Sequence, residues 1–192
     1  MKNDDKKTKA RRRFLAGGLG AAALGALAQG STAGRRADRP VWQLDPYLCS
    51  QCGRCATECV LKPSAVKCVH AYAMCGYCEL CFGYFLPGAR SLDESAENQT
   101  CPTGAIRRRF IEEPYFEYVI DEPLCIGCAK CVTGCNTFGN GSLFLQVRHD
   151  RCLNCNECAI AAVCPADAFV RVSASRPYIF KGENDSTSGG LS

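Results

Sequence analysis

The spacing of the cysteines constrains this chain more than any other feature of its 192 residues. Seventeen residues are cysteine, far above the usage of an ordinary globular domain. Sixteen of them form four groups, and each group has a triplet of cysteines at three-residue intervals followed by a fourth cysteine. The groups are Cys49, Cys52, Cys55 and Cys59; Cys75, Cys78, Cys81 and Cys101; Cys125, Cys128, Cys131 and Cys135; and Cys152, Cys155, Cys158 and Cys164.

This spacing has a physical reason. Three cysteines at i, i+3 and i+6 of a loop can direct their sulfurs at three corners of one iron–sulfur cubane, while the fourth cysteine reaches a neighbouring cubane. Pro102 and Pro165 follow two of the fourth cysteines and turn the chain away, because proline cannot continue a helix. Val60 and Asn136 take that place after the other two. The count predicts four [4Fe–4S] clusters with the sixteen grouped cysteines as iron ligands.

Two other uses of cysteine fit this pattern less well. Cysteines three residues apart in one loop pair poorly as disulfides, because the two Cα atoms must face each other within a narrow distance range. A zinc site needs four ligands, so the third cysteine of each triplet would be surplus. Cys68 belongs to no triplet, and we expect it to be a small buried side chain or a free thiol, and a substitute ligand only if Cys101 lies too far from any cluster. The single histidines His70 and His149 favour surface or hydrogen-bonding roles over coordination.

The N-terminus has the pattern of an export signal. A lysine-rich start is followed by an apolar run that ends at Ala28 and is interrupted by glycines, so it falls short of the ~20 apolar residues of a membrane span. Arg11 and Arg12, followed by Phe14 and Leu15, resemble a twin-arginine signal. We therefore assign residues 1–28 to a signal peptide and expect a periplasmic or extracytoplasmic protein, which an uncleaved signal would tether to the membrane.

The net charge of +4 comes from this signal. Residues 1–28 carry seven Lys or Arg and two Asp, which leaves 16 basic and 17 acidic residues for the rest of the chain. A nucleic-acid partner is therefore not expected. Residues 29–44 read as a linker, residues 45–175 as the four-cluster region, and residues 176–192 as a C-terminal tail that is disordered from about residue 182.

Between the cysteine groups the chain reads as short strands and single helical turns. The β-rich runs at 116–120, 143–147 and 168–172 predict strands of hairpins. The segment from Cys101 to Cys128, with its Tyr118-Val-Ile-Asp121 strand, and the segment from Cys152 to Phe169 resemble bacterial-type ferredoxins. The resemblance covers about residues 45 to 175 and implies an α+β fold of two ferredoxin-like 2[4Fe–4S] modules with little regular secondary structure.

The order of the triplets also resembles the four-cluster electron-transfer subunits of molybdopterin oxidoreductases and the periplasmic ferredoxin-type proteins of nitrate reductase systems. That resemblance implies nested pairing: Cys164 joins the first triplet, Cys59 the fourth, Cys135 the second and Cys101 the third. The spacing alone does not exclude a sequential order, in which the first and second groups pair and then the third and fourth. The sixteen ligands are the same in both.

Four thiolates on every cluster leave no iron open to a substrate, so the sequence predicts an electron carrier and not an enzyme. The expected partners are a membrane quinol-oxidising protein, a cytochrome or a flavoprotein on one side, and a terminal reductase or dehydrogenase on the other. The alternative is a permanent iron–sulfur subunit of a periplasm-facing oxidoreductase complex. A metal-storage or sensor protein is disfavoured, because storage requires no regular triplets.

Three further segments have expected roles. The trio Arg107 to Arg109 either offsets the negative charge of the clusters or forms a solvated strand edge. The long insertion at 82–100 either docks a partner or covers a cluster with its aromatic half. Trp42 is expected to pack in the core. Because inorganic clusters would occupy much of the interior, they should supply a large part of the folding free energy.

Replacing Arg11 and Arg12 together by Lys tests the export signal. The precursor should accumulate in the cytoplasm, because the lysine ammonium does not reproduce the paired planar guanidinium groups. Cell fractionation followed by immunoblotting measures the distribution. Undiminished export of the double variant would contradict the twin-arginine assignment.

Overall fold

The computed structural model describes residues 39–71 and 77–182. The proposed signal peptide, Cys75 and the last ten residues lie outside the described residues. Residues 41–172 and 176–182 belong to one compact unit. The other unit comprises residues 1–40 and 173–175, and of it only Arg39, Pro40 and residues 173–175 are described.

The described part of the chain has short elements separated by long loops. Its helices are α1 (Arg54–Glu58), α2 (Lys130–Phe138) and α3 (Ala159–Val163), with one 3₁₀ turn at Ala96–Asn98. Its strands are β1 (Pro40–Leu44), β2 (Val66–His70), β3 (Tyr77–Cys78), β4 (Ile106–Glu112), β5 (Tyr115–Ile120), β6 (Leu143–Val147) and β7 (Phe169–Ser173). No described helix is long and apolar enough to cross a membrane.

The strands form three small sheets. Strand β5 lies between β3 and β4 and is antiparallel to both, β2 pairs antiparallel with β6, and β1 pairs with β7. In the β2–β6 pair Cys68 is opposite Leu145 and Lys67 is opposite Gln146. All five residues of β6 are buried, as its run of large apolar side chains predicts.

The coarse prediction is confirmed: the fold mixes few helices with short strands and has little regular structure. The three predicted strands are found as β5, β6 and β7. Only β5 belongs to a hairpin, with β4, so the hairpin prediction was wrong for the other two. The loops beside β6 and β7 are occupied by cysteine triplets, so these two strands pair with β2 and β1 from much earlier in the chain.

The ends assigned to the linker and the tail contribute to the body of the protein. Residues 40–44 of the linker form β1. The buried side chain of Gln43 accepts hydrogen bonds from the backbone N–H groups of Leu44 and Val147, both at 2.8 Å, and donates one to the carbonyl oxygen of Pro177 at 2.8 Å. Residues 176–182, which we call the C-terminal strap, are therefore held against the start of the domain. The ring of Tyr178 also packs on that of His149.

The core is built from apolar and cysteine side chains together. Cys55, Cys68, Cys125, Cys131 and Cys135 are buried in one cluster with leucines and valines. Cysteine behaves as a small apolar side chain when buried, so this packing is favourable in itself. These cysteines thereby attach their loops to the core.

Candidate functional site

The backbone of two triplet loops turns sharply on both sides of the middle cysteine. In the first triplet Gln51 and Gly53, on either side of Cys52, have left-handed φ angles of 59° and 78°. In the third triplet Gly127 and Ala129 flank Cys128 in the same way, with φ of 74° and 65°. Left-handed residues cost conformational free energy in an ordinary loop, and they persist where the surroundings require them.

The fourth triplet shares a cavity with Cys59. This empty space of about 440 Å³, part of it open to solvent, is lined by Cys152, Cys155 and Cys158 together with Cys59. Burial raises the pKa of Cys152, and the nearby thiolates of Cys158, Cys155 and Cys59 raise it further. Trp42 lines the same cavity and donates its indole N–H to the carbonyl oxygen of Cys155 at 2.7 Å. Trp42, which the sequence analysis placed in the core, is thus half-buried and lines this cavity.

The third triplet shares a second cavity with Cys101. An empty space of about 340 Å³ is lined by Cys125, Cys128, Cys131 and Cys101, with apolar walls that include Leu145. Burial raises the pKa of Cys128, and the charges of Cys131 and Cys101 act in the same direction. Cys101 therefore lies with the third triplet and not with the second, which it follows in sequence.

The first triplet is joined by Cys164. Burial and the charges of Cys49, Cys52 and Cys164 raise the pKa of Cys55 to about 12. The pKa of Cys49 is also raised, chiefly by burial and in part by Cys164. A cysteine near the C-terminus thus completes a group that begins at the other end of the domain.

The second triplet is joined by Cys135. Burial raises the pKa of Cys81 to about 12, and Cys78 and Cys135 add to the shift by charge repulsion. Cys75, the remaining member of this group, lies outside the described residues. Each fourth cysteine is therefore placed as in the nested order, whereas the sequential order would put Cys164 with the third triplet.

Two equivalent turns donate backbone hydrogen bonds to the sulfurs of fourth cysteines. Cys101 and Cys164 are each followed by proline, and four residues later the N–H groups of Ala105 and Ala168 donate to their sulfurs at 3.2 and 3.4 Å. Backbone N–H groups also point at Cys135 (from Leu143, 3.5 Å) and Cys152 (from Asn154, 3.4 Å). Such donors stabilise negative charge on sulfur, so the loops are arranged for thiolates.

Cys68 lies in the cavity of the third triplet. It is 2% exposed, its N–H donates to Cys125 Sγ at 3.4 Å, and its own Sγ lies 3.4 Å from Cys131 Sγ. Hydrogen bonding to Cys131 and burial raise the pKa of Cys68 well above its usual value. The seventeenth cysteine is thus a protonated neighbour of a grouped cysteine, in agreement with a small buried thiol.

The arginine trio does not face the cavities. Arg107 pairs with Asp121, Arg109 lies 2.7 Å from Glu117, and Arg108 stacks 3.5 Å above the ring of Phe116. Two of the three charges are therefore neutralised by carboxylates at the surface, which agrees with the expectation of a solvated strand edge. The charges that do act on grouped cysteines come from lysines that the sequence analysis missed, namely Lys62, Lys67, Lys130 and Lys181.

Lys181 belongs to the C-terminal strap. Its ammonium donates to the side-chain oxygen of Asn136 at 2.9 Å and to the carbonyl oxygen of Gly141, and its charge acts to lower the pKa of Cys49. It thus links the first group to the segment that follows Cys135. No sequence signal marks it, because it stands in a polar segment that reads as a tail.

The aromatic half of the insertion packs inward. Tyr84 and Phe85 are buried, contact each other edge to face, and Tyr84 also contacts Tyr118. Gly83 lies close to Cys81, because a Cβ added to Gly83 would be 3.6 Å from Cys81 Sγ. This half of the insertion is therefore buried beside Cys81, as expected from the alternative in which the aromatic side chains pack inward.

The sixteen cysteines of the described residues are all free, with no disulfide among them. Within the same part of the chain, no group of three or more His, Cys, Asp or Glu is close enough to hold a single metal ion. Comparisons with protein-family models, with curated proteins and with solved structures found no match to this chain.

A glycine substitution tests the geometry of the third triplet. A Cβ on Gly127 would lie 2.6 Å from the carbonyl oxygen of Val66, and its φ is left-handed. Gly104 has a φ of 62° but nothing within 4 Å of its Cβ position, so it is the matched control. Gly104→Ala should cost about 1–3 kcal/mol, and Gly127→Ala more, because strand β2 must shift. Anaerobic thermal unfolding measures both, and equal losses would contradict this packing.

Cysteine substitutions test the nested grouping. Cys164→Ser should alter the same metal-centre signal in electron paramagnetic resonance as Cys49→Ser, because the structure places both thiols in one group. It should leave the signal that Cys152→Ser alters unchanged. A match between Cys164→Ser and Cys125→Ser would instead show the sequential order.

Proposed function

We propose that this chain is an exported electron-transfer protein that carries four [4Fe–4S] clusters and relays single electrons between a redox donor and a terminal oxidoreductase. The observation that supports it is the placement of Cys59, Cys101, Cys135 and Cys164, each beside a triplet from a different part of the chain. Thiols from distant segments that converge in this way fit a shared inorganic centre.

The donor set fits this cofactor in three respects. Each fully described group offers four thiols, which is the ligand set of a cubane. In a cubane every thiolate binds a different iron, so the sulfurs need not approach as closely as the ligands of one ion. The cavities beside the third and fourth groups are bounded mainly by apolar side chains, which suits a centre that must be shielded from water.

When bound, such a cluster accepts and returns one electron at a time. The residues of this chain would hold it, keep water away and stabilise the negative charge on sulfur. Trp42, Leu145 and Phe169 line the cavities. Backbone N–H groups point at grouped sulfurs, among them those of Cys101, Cys135, Cys152 and Cys164. In this proposal the chain carries electrons and has no substrate site of its own.

The ferredoxin-like modules belong to the same proposal. The pairing of β1 with β7 brings the first and fourth groups into one half, and the third group is joined to Cys101 by the β4–β5 hairpin. A chain that pairs its clusters in this way resembles two bacterial-type 2[4Fe–4S] modules, in which the module of the second and third groups is inserted into the module of the first and fourth groups.

Partner binding is proposed at protein surfaces, with a quinol-oxidising protein, cytochrome or flavoprotein as donor and a reductase or dehydrogenase as acceptor, or the reverse. Phe110, Ile111 and Tyr115 are exposed at the end of the β4–β5 hairpin. Exposed aromatic side chains are enriched at protein interfaces. The same feature would serve the alternative, a permanent iron–sulfur subunit of a periplasm-facing complex.

Metal analysis of the anaerobically purified protein tests the cofactor. About sixteen iron and about sixteen acid-labile sulfide per chain are expected from four cubanes. Cys125→Ala should lower the iron content, whereas Cys68→Ala should keep it, although both thiols are buried beside the same cavity. Stoichiometric zinc, or disulfides found by mass spectrometry, would contradict the proposal.

A further inference from the structure

Lys67 is a lysine with no exposed surface, in the middle of strand β2. Its ammonium donates a hydrogen bond to the backbone carbonyl oxygen of Cys125 in the third triplet. Within residues 39–71 and 77–182, no carboxylate forms an ion pair with it. A buried ammonium is costly unless negative charge compensates it, so its compensation has to come from other groups.

The charges around Lys67 belong to two cysteine groups. Burial lowers the pKa of Lys67 and Arg151 adds to this, while the negative charges of Cys125, Glu122 and Cys59 oppose it. Glu122 is already engaged by Arg148, whose Nε lies 3.1 Å from its carboxylate. Its neighbours along β2 place Lys67 between these two groups, because Cys68 lines the cavity of the third group and Val66 lines the cavity that Cys59 shares with the fourth triplet.

We propose that Lys67 is a positioning residue for charge, a cation shared by the third and fourth groups that raises the reduction potentials of the clusters held there. This inference rests on the proposed function. When an external donor reduces a cluster by one electron, the cluster gains one negative charge. Lys67 keeps its proton, and none of its bonds changes. A fixed positive charge beside the cluster stabilises the reduced form, and the interaction is strong because the site is buried.

Lys62 provides the matched control. It is exposed, its ammonium donates to the carbonyl oxygen of Thr57, and its charge helps to lower the pKa of Cys59. Burial opposes that shift, and N–H groups of Ala65 and Leu61 with the Ser64 side chain bring it about in larger part. Lys62 and Lys67 thus act on one thiol, but solvent screens Lys62.

The experiment is an anaerobic redox titration of the full chain, followed by electron paramagnetic resonance, with iron analysis of every sample. In Lys67→Met, two of the four clusters should titrate at lower potential. At fixed potential, the ratio of oxidised to reduced cluster should rise about tenfold at each, which is about 59 mV for a one-electron couple. Lys62→Met should shift one cluster at most, and by a smaller amount.

The outcomes separate the two proposals. Wild-type protein without iron overturns the proposed function, whereas wild-type potentials in an iron-loaded Lys67→Met, or shifts equal to those of Lys62→Met, overturn the role of Lys67 alone. If the Lys67→Met variant does not incorporate its clusters, the Lys67→Arg variant replaces it as the test, because arginine retains the positive charge. Four clusters at wild-type potentials in Lys67→Arg support the role of charge, and loss of clusters there as well overturns it in favour of a purely steric role.

Discussion

The concentration of cysteine sulfur in and around a small core is the constraint on which the rest of this structure depends. Burial and mutual repulsion raise the pKa values of Cys55 and Cys81 to about 12, so without a metal centre these side chains remain thiols at neutral pH. A metal centre that binds thiolates has to displace those protons, and its binding free energy is then coupled to folding. The backbone N–H groups aimed at sulfur and the buried Lys67 are arranged for the charged form.

Because each group takes its fourth cysteine from a distant segment, the cysteine groups also determine the topology. Cys164 can meet Cys49 only if the two ends of the domain lie together, and the pairing of β1 with β7 provides this. Gln43 reinforces it by binding both β6 and the C-terminal strap. The main role of the short strands is therefore to hold the cysteine loops next to one another, and their contribution to a hydrophobic core is secondary.

Local spacing predicted the triplets and the strands, since both depend on residues close in sequence. It did not decide which triplet each fourth cysteine joins, because Cys101 is near the second triplet in sequence but lies with the third in space. The sequence also misassigned the charges. The arginine trio is conspicuous but is paired at the surface, whereas Lys67 is an isolated lysine in an apolar strand, and only tertiary packing shows that it is buried beside two groups.

The third triplet lies at the centre of these contacts. The carbonyl oxygen of Cys125 accepts from Lys67, beside the fourth group. A Cβ added to Gly53, in the first triplet, would lie 3.1 Å from the carbonyl oxygen of Cys128. A Cβ added to Gly83, just after the second triplet, would lie 3.1 Å from the carbonyl oxygen of Cys131. The third triplet thus contacts segments of the first and second groups directly, and Lys67 lies between it and the fourth group. If the chain relays electrons as proposed, the third group is the internal station that the other three share, and partners exchange electrons at outer groups, such as the first, where Cys52 is exposed.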